Sequence, residues 1–387
     1  MAVPLKYNLR NLRVRWRSTL ATVLGIGLVV MVFIFVRSLA HGMEATYIST
    51  GDSRNLIVLR KGSTAESSSQ ISRDEARRIQ YMTGIARDPA GNPIASAEII
   101  VLILLDRITG DGTANVLVRG VGPMALPLRP NLRLIDGRLF QPGLHECIVS
   151  RRIAERFAHC RVGHSFQTGK TTWRVVGIFD AQQTAYESEI WVDADEARSA
   201  FKRSFYGSVL LRPTDEAAAA ELKQRMLTDR LLSVKVMTEA AYYAEQTQSA
   251  GLLRFLASFL AIIMSIGAAF AAMNTMYAAV GARTREIGTL RMLGFRRRQI
   301  YASFLFESVV LALLGGAVGS AVSLFFNLIS TGTFSATSFA EVAFQFRVTP
   351  MMIADGMGFA VVMGVLGGLL PARLAARKPV LDALRSV

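Results

Sequence analysis

Apolar and polar positions alternate along this chain on two scales. Four runs reach membrane length, at 18–40, 252–281, 304–329 and 351–371, and each carries one charge (Arg37, Arg254, Glu307 and Asp355 in turn) placed toward an end of the run. A helix of about 20 apolar residues crosses roughly 30 Å of hydrocarbon, so all four are expected to span, with each charge near enough to an end to reach the interface. Between the first two runs, residues 41–249 show shorter periods. Ser72 with Glu75 reads as a capping box opening a helix to about Tyr81. Ile99–Leu105 is wholly apolar but short, the mark of a buried strand, and Thr172–Phe179 alternates like another strand. Asp193 with Glu196 opens a short helix. The segment ends with strand Gly207–Arg212, helix Asp215–Leu227 capped by Thr214, and strand Leu231–Met237, a β-α-β unit. Turn-rich pieces at 88–93 and 120–130 divide the region into two lobes. The fold class is therefore membrane α-helical: four transmembrane helices, with a large extracytoplasmic mixed α/β (α+β) domain inserted between the first and second.

Charge sets the orientation. Residues 1–17 carry Lys6, Arg10, Arg13, Arg15 and Arg17 with no acid, and residues 282–303 carry six arginines against Glu286. The tail 372–387 carries Arg373, Arg377, Lys378 and Arg385 against Asp382, whereas the loop 330–350 balances Arg347 with Glu341. Excess Lys and Arg collect on the cytoplasmic side of bilayers. The three basic flanks share one side only if both termini are inside and residues 41–249 outside. The first run, about 19 residues between charges, exceeds a secretory signal core, and Arg37 sits awkwardly before Ser38-Leu39-Ala40; it reads as an uncleaved anchor.

Composition agrees. A hydrophobic share of 51% with 19% charged residues suits a few spans plus one polar domain. The net charge of +15 does not mark a nucleic-acid binder, because residues 41–249 are nearly neutral, with 26 Lys/Arg and 24 Asp/Glu. The basic excess lies beside the spans, where membrane lipid and a cytoplasmic partner are met. Cys147 and Cys160, both in the inserted domain, are a candidate disulfide or two buried thiols.

Catalytic chemistry is missing. Gly169-Lys170-Thr171 resembles the tail of a phosphate-binding loop, but position 164, which should be glycine, is His164, and a strand rather than a helix follows. The segment reads as a hairpin turn. His159 and His164 beside Cys160 match no zinc spacing, and no nucleophile elbow occurs. No cofactor, metal or catalytic residue is expected.

The Met273–Ile300 stretch, with Phe306-Glu307-Ser308 and Leu314-Gly315-Gly316, carries a family resemblance. So do the opening Asn8-Leu9-Arg10-Asn11-Leu12 and the close Gly367-Gly368-Leu369-Leu370-Pro371-Ala372-Arg373. With one large outer domain after the first span, the chain resembles the permease subunits of FtsX/MacB/LolC-E-type ABC transporters, the type VII, mechanotransmission kind, in the variety without a fused ATPase domain. The resemblance implies a non-catalytic subunit that pairs with a second permease copy, identical or related, and docks a separate cytoplasmic ABC ATPase. A periplasmic adaptor protein and an outer-membrane channel belong to some members. The resemblance also implies a coupling helix at about Thr284–Gly294, with Arg285, Glu286, Ile287, Gly288, Leu290, Arg291, Leu293 and Gly294 facing the ATPase. Ile287, Leu290 and Leu293 form an apolar stripe suited to a groove, and a basic helix lying on anionic lipid is the plainer alternative. Stalks at His41–Ser49 and Ala240–Leu253 would carry motion outward. Gly315 with Gly319, and Gly364 with Gly368, are expected to pack the third and fourth spans together. Efflux or export of an envelope substrate is the leading expectation. Signalling to a cell-wall hydrolase, and lipoprotein or lipid release, are the alternatives.

Overall fold

A computed structural model describes residues 16–110, 112–248, 250–328, 330–334 and 341–377; the basic segment 1–15 and the tail 378–387 lie outside the described residues. The first apolar run lengthens into α1 (Trp16–Ile48), whose 33 residues reach about 50 Å and so exceed the thickness of hydrocarbon. The polar region follows as β1 (Leu56–Arg60), β2 (Ile71–Ser72), α2 (Arg73–Gln80), β3 (Ala95–Asp106), β4 (Thr113–Val121), α3 (Ala125–Leu128), β5 (Arg133–Gly137), β6 (Glu146–Ser150) and α4 (Arg151–Arg156). It continues as β7 (Ser165–Thr168), β8 (Thr171–Asp180), β9 (Glu189–Asp193), α5 (Ala194–Ala200), β10 (Phe205–Tyr206), β11 (Ser208–Leu211), α6 (Glu216–Thr228), β12 (Val234–Thr238) and α7 (Glu239–Gln248). Then come α8 (Ala250–Ala282), α9 (Thr284–Met292), α10 (Arg297–Ser323), the hairpin β13 (Ser330–Phe334) and β14 (Glu341–Gln345), and α11 (Pro350–Arg377). Among the described residues four helices are long and apolar enough to cross a membrane. The chain divides into two compact units, one built on these helices and one running from Gly42 to Gly251 with the hairpin. The loop expected at 330–350 thus contains paired strands.

Local sequence signals place most elements of the inserted domain. Ser72 Oγ accepts from Glu75 N while Glu75 accepts from Ser72 N, so the capping box forms. Asp193 caps α5 through the backbone N–H groups of Asp195 and Glu196. Helix α6 is capped by Asp215, which accepts from Ala218 N, and not by Thr214; the carboxylate one residue nearer the helix is the better acceptor for a free N–H. Gly169-Lys170 is the two-residue loop of the β7–β8 hairpin.

Among the described residues the strands form a ten-stranded sheet ordered β12-β1-β11-β3-β4-β9-β6-β8-β5, with β7 also on β8. The expected β-α-β unit is split: β11 and β12 both run antiparallel to β1, which lies between them. The two expected lobes share one strand. Residues 95–98 of β3 pair with β11 and residues 99–106 with β4. Strand alternation then builds different cores on opposite faces. Leu56, Val58, Val209 and Leu211 join one cluster, and Cys147, Val149, Val175, Ile190 and Val192 another. The opposite-facing Ile57, Leu210, Ile148 and Trp191 join a third, which also takes Tyr47, Tyr242 and Tyr243 from α1 and α7. Cys147 and Cys160 are not bonded to each other. Both are free and buried in one apolar cluster, and burial pushes both thiols up, Cys160 to about 12.

A charged cluster is sealed inside this domain. Arg119, 2% exposed, donates Nε to Glu189 at 2.7 Å and Nη1 to Glu98 at 2.8 Å and Glu66 at 3.0 Å. Arg129 grips Glu98 with two further bonds of 2.6 and 2.8 Å. Burial alone would raise Glu98, but Arg129 and Arg119 hold its carboxyl below the usual range. Nearby, Glu187 accepts from Ala181 N at 2.6 Å. Burial, then a hydrogen bond with Asp180, raises Glu187 to about 7. The folded state therefore holds a proton on Glu187 that the unfolded chain releases near the ordinary glutamate value of 4.5. Its contribution is fully present below that value and declines as pH rises toward 7. Glu187→Gln, which mimics the protonated acid, should stabilise the protein at pH 8 by about 3 kcal/mol and do little at pH 5. Thermal melts at the two pH values check this, and equal effects at both would refute the buried proton.

In the membrane unit, small residues set the packing. A Cβ at Gly315 would lie 2.8 Å from Ile26 Cβ, and one at Gly319 would overlap the Gly27 carbonyl. This pair therefore seats α10 against α1, not against α11 as the sequence suggested. The i, i+1 neighbour Gly316 faces Ala360 of α11; the stripe of small residues is wide enough to serve two partners. Gly364 and Gly368 do pack α11 on α10, against Ala312 and Ser308, and Ser308 Oγ donates to Gly364 O at 2.6 Å. At the other end of α1, Arg37 pairs with Asp355 of α11 at 2.6 Å.

Candidate functional site

Helix α9 occupies the expected coupling segment. Its end follows from Gly294, whose φ of +90° lies in the left-handed region. There Phe295 N donates to Leu290 O at 3.1 Å and Gly294 N to Arg291 O at 3.2 Å, the two bonds of a Schellman stop. Helix α10 restarts at once, with Arg296 N donating to Gln299 Oε1 at 2.7 Å. The arginines 296–298 are all exposed there.

The apolar stripe of α9 divides. Ile287 is 2% exposed and packs with Val23, Met276, Val280, Ile300, Phe304, Leu311, Ala372 and Ala375 of the same bundle. Gly288 is buried beside it. Leu290 is half-buried and closes, with Ile287, Ile300 and Phe304, a cleft of about 10 Å³, too small for more than one water. Leu293 and Met292, by contrast, are 71% and 57% exposed. Arg285, Glu286 and Gly294 are exposed and Arg291 half-buried. A helix of nine residues presents apolar side chains over a wide arc, and its own bundle takes the first part of that arc. The remainder, Met292 and Leu293, is an exposed apolar knob, followed along the chain by the exposed arginines 296–298.

What fastens α9 to the bundle is a buried ion pair that pattern reading left unconnected. Arg283, 5% exposed, precedes the helix and donates Nη1 to Glu307 Oε2 at 2.7 Å and Nε to Glu286 Oε2 at 3.0 Å. Its guanidinium lies 4.9 Å from the centre of the Phe304 ring. Glu307 is not at a helix end as the hydropathy pattern suggested. Helix α10 begins at Arg297, so Glu307 stands about 15 Å along it. A lone acid inside an apolar helix must find a cation, and that requirement is the signal from which the pair could be read.

Comparison with known proteins agrees with this architecture. Residues 18–228 match the model of the MacB-like periplasmic core domain, and residues 258–380 that of the FtsX-like permease C-terminal region. The macrolide export ATP-binding/permease protein MacB of Rhodopseudomonas palustris is 27% identical over 70% of this chain and 43% of its own length. That of Hahella chejuensis is 28% identical over 58% of this chain and 35% of its own. The chain thus spans less than half the length of these curated relatives. Among solved structures, the periplasmic region of MacB from Actinobacillus actinomycetemcomitans is similar at 13% identity with a TM-score of 0.39, over 50% of this chain and 92% of that one. The matched core-domain model covers more than half of the sequence, with the permease model following it, and the chain belongs to the MacB-like, FtsX-type family of ABC transporter permeases.

Proposed function

We propose that this chain is the non-catalytic permease subunit of a type VII ABC complex. A separate cytoplasmic ATPase seats against α9, and its ATP-driven motion is transmitted through α1 and α8 to the inserted domain on the periplasmic side. The observation that carries the reading is the divided face of α9: one part held inside its own bundle, the other left as an exposed apolar knob, followed along the chain by Arg296–Arg298. This geometry supplies both a grip for a partner and a rigid connection to the spans. The basic flanks support cytoplasmic termini and a multi-pass inner-membrane location. A second permease copy is part of the reading. The most apolar window of the second span is 11% buried, against 33–39% in the other three, so this helix has the most surface free for a partner or lipid. The relatives are named for macrolide export, and export of a substrate from the envelope is the role proposed here, with an adaptor and outer-membrane channel as further partners.

The decisive test is co-purification with a separately encoded ABC ATPase. Leu293→Asp puts a charge on the exposed knob without touching the bundle core. It should reduce recovery of the ATPase at least about tenfold, the loss of one buried leucine anchor, while membrane insertion is unchanged. An undiminished, active complex would overturn the assignment of α9.

A further inference from the structure

Where the inserted domain meets the ends of its two connecting helices, the chain makes an unusually close crossing. Helix α1 stops at Ile48, and the turn through Gly51 leads toward β1. Helix α7 starts at Glu239, directly after β12. A Cβ on Gly51 would lie 2.5 Å from Ala240 Cα and 2.7 Å from Glu239 O. Backbone meets backbone, and no side chain fits between.

Glu239 ties this crossing. The residue is 1% exposed. Its N–H donates to Asn55 O at 2.9 Å. Its Oε2 accepts from Asp52 N at 3.1 Å and from Asn55 Nδ2 at 2.8 Å, and its Oε1 accepts from Tyr186 OH at 2.7 Å. Three donors from two other segments thus converge on one carboxylate at the first turn of α7, an arrangement that fixes geometry far more strictly than apolar packing does. Arg212 braces the same loop, donating to Asn55 Oδ1 at 2.9 Å and Asp52 Oδ2 at 3.0 Å. Tyr243 OH reaches Tyr186 OH at 3.2 Å, and Tyr47 of α1 stacks on Tyr243.

Beside the tie there is room and a second partner. A cavity of about 290 Å³ is lined by Thr50, Asp52, Arg54, Arg129, Thr184 and Glu239 among others. Arg129 Nε, buried, makes no hydrogen bond, and it stands 4.0 Å from Glu239 Oε1. One carboxylate therefore has two sets of donors within reach, one of them unused.

We infer that Glu239 is a positioning residue that rivets the ends of α1 and α7 into a single lever, with Arg129 Nε as its alternative partner when the joint is loaded. The inference rests on the proposed coupling role for its purpose, though not for its geometry. Apolar contacts alone would let two helices slide or scissor, whereas a multiply bonded carboxylate at the crossing makes them move together.

The test uses the full chain in lipid nanodiscs with its ATPase. Spin labels are placed at the exposed positions Ser49 and Ala244, through cysteines that react while the buried Cys147 and Cys160 do not. Pulsed EPR should give one narrow distance, the same without nucleotide and with trapped ATP–vanadate. Glu239→Ala should widen the distribution roughly twofold and make it depend on nucleotide, because the crossing no longer holds against the load. Glu239→Gln, which keeps the shape and one acceptor oxygen for the Asp52 and Asn55 donors while its NH2 group can donate to the Tyr186 hydroxyl oxygen, should restore most of the narrow distance. Continued protection of Cys147 and Cys160 from thiol reagents shows that the variant domain is folded. A folded Glu239→Ala variant with the wild-type distribution in both states overturns the rivet. If the wild type is narrow but no ATPase binds, the coupling reading fails while the joint stands.

Discussion

Arg119→Ala is expected to prevent the inserted domain from folding. The guanidinium is bonded to Glu66, Glu98 and Glu189 at once, all of them 5% exposed or less. Alanine would leave these carboxylates in an apolar interior, with Arg129, bound to Glu98, as the buried cation remaining beside them among the described residues. Removing one member of a buried ion pair costs about 3–5 kcal/mol. With three acids affected the loss should exceed about 5 kcal/mol, which is comparable with the whole stability of many domains. Limited proteolysis of the membrane-inserted chain and its yield after extraction measure this. Arg119→Lys should be intermediate, because an ammonium keeps the charge but not the planar fork that serves three carboxylates. Neutralising the acids together with the arginine, as Arg119→Met with Glu66→Gln and Glu189→Gln, should recover part of the loss. A melting curve for Arg119→Ala close to that of the parent would show that the cluster is not what holds the domain.

That cluster marks the boundary of what the chain reveals in one dimension. Hydropathy gives four spans because a membrane helix is a local property, and Ser72 and Asp193 give helix starts because caps act within three residues. Arg119, Glu66 and Glu189 are brought together only by strand order: β4 must lie beside β9 for Arg119 to meet Glu189, 70 positions away. The double pairing of β3, which merges two expected lobes into one sheet, is equally non-local. At α9, periodicity found an apolar stripe but could not say that Ile287 belongs to the chain's own core and Leu293 does not. The same limit applies to Gly315 and Gly319, whose spacing announces close packing without naming α1 as the neighbour. The Arg283–Glu307 and Arg37–Asp355 pairs were within reach, from the rule that a solitary intramembrane acid has a counterion.

Breaking the Arg283–Glu307 pair should uncouple the proposed ATPase partner from the spans. Arg283 lies at the start of α9 and Glu307 well inside α10, so their bond is a direct link from the proposed docking helix to the third span. Glu307→Ala removes the buried carboxylate from the Arg283 guanidinium, which lies against Phe304 and keeps the half-exposed Glu286 carboxylate at 3.0 Å. The expected cost is about 3 kcal/mol or more. A change of this size would displace α9 on the bundle and lower ATPase activity of the assembled complex at least about tenfold. Arg283→Ala should do the same from the other side. The informative variant is Arg283→Met with Glu307→Leu. It removes both charges, fills similar volume and should return stability to near the parent value. The directed bond between the start of α9 and α10 is then gone, and the activity should stay low if transmission requires that bond. Recovery of both stability and activity in the double variant would show that the pair only keeps the bundle intact. Full activity in Glu307→Ala would show that α9 is held by Ile287 and its apolar neighbours alone.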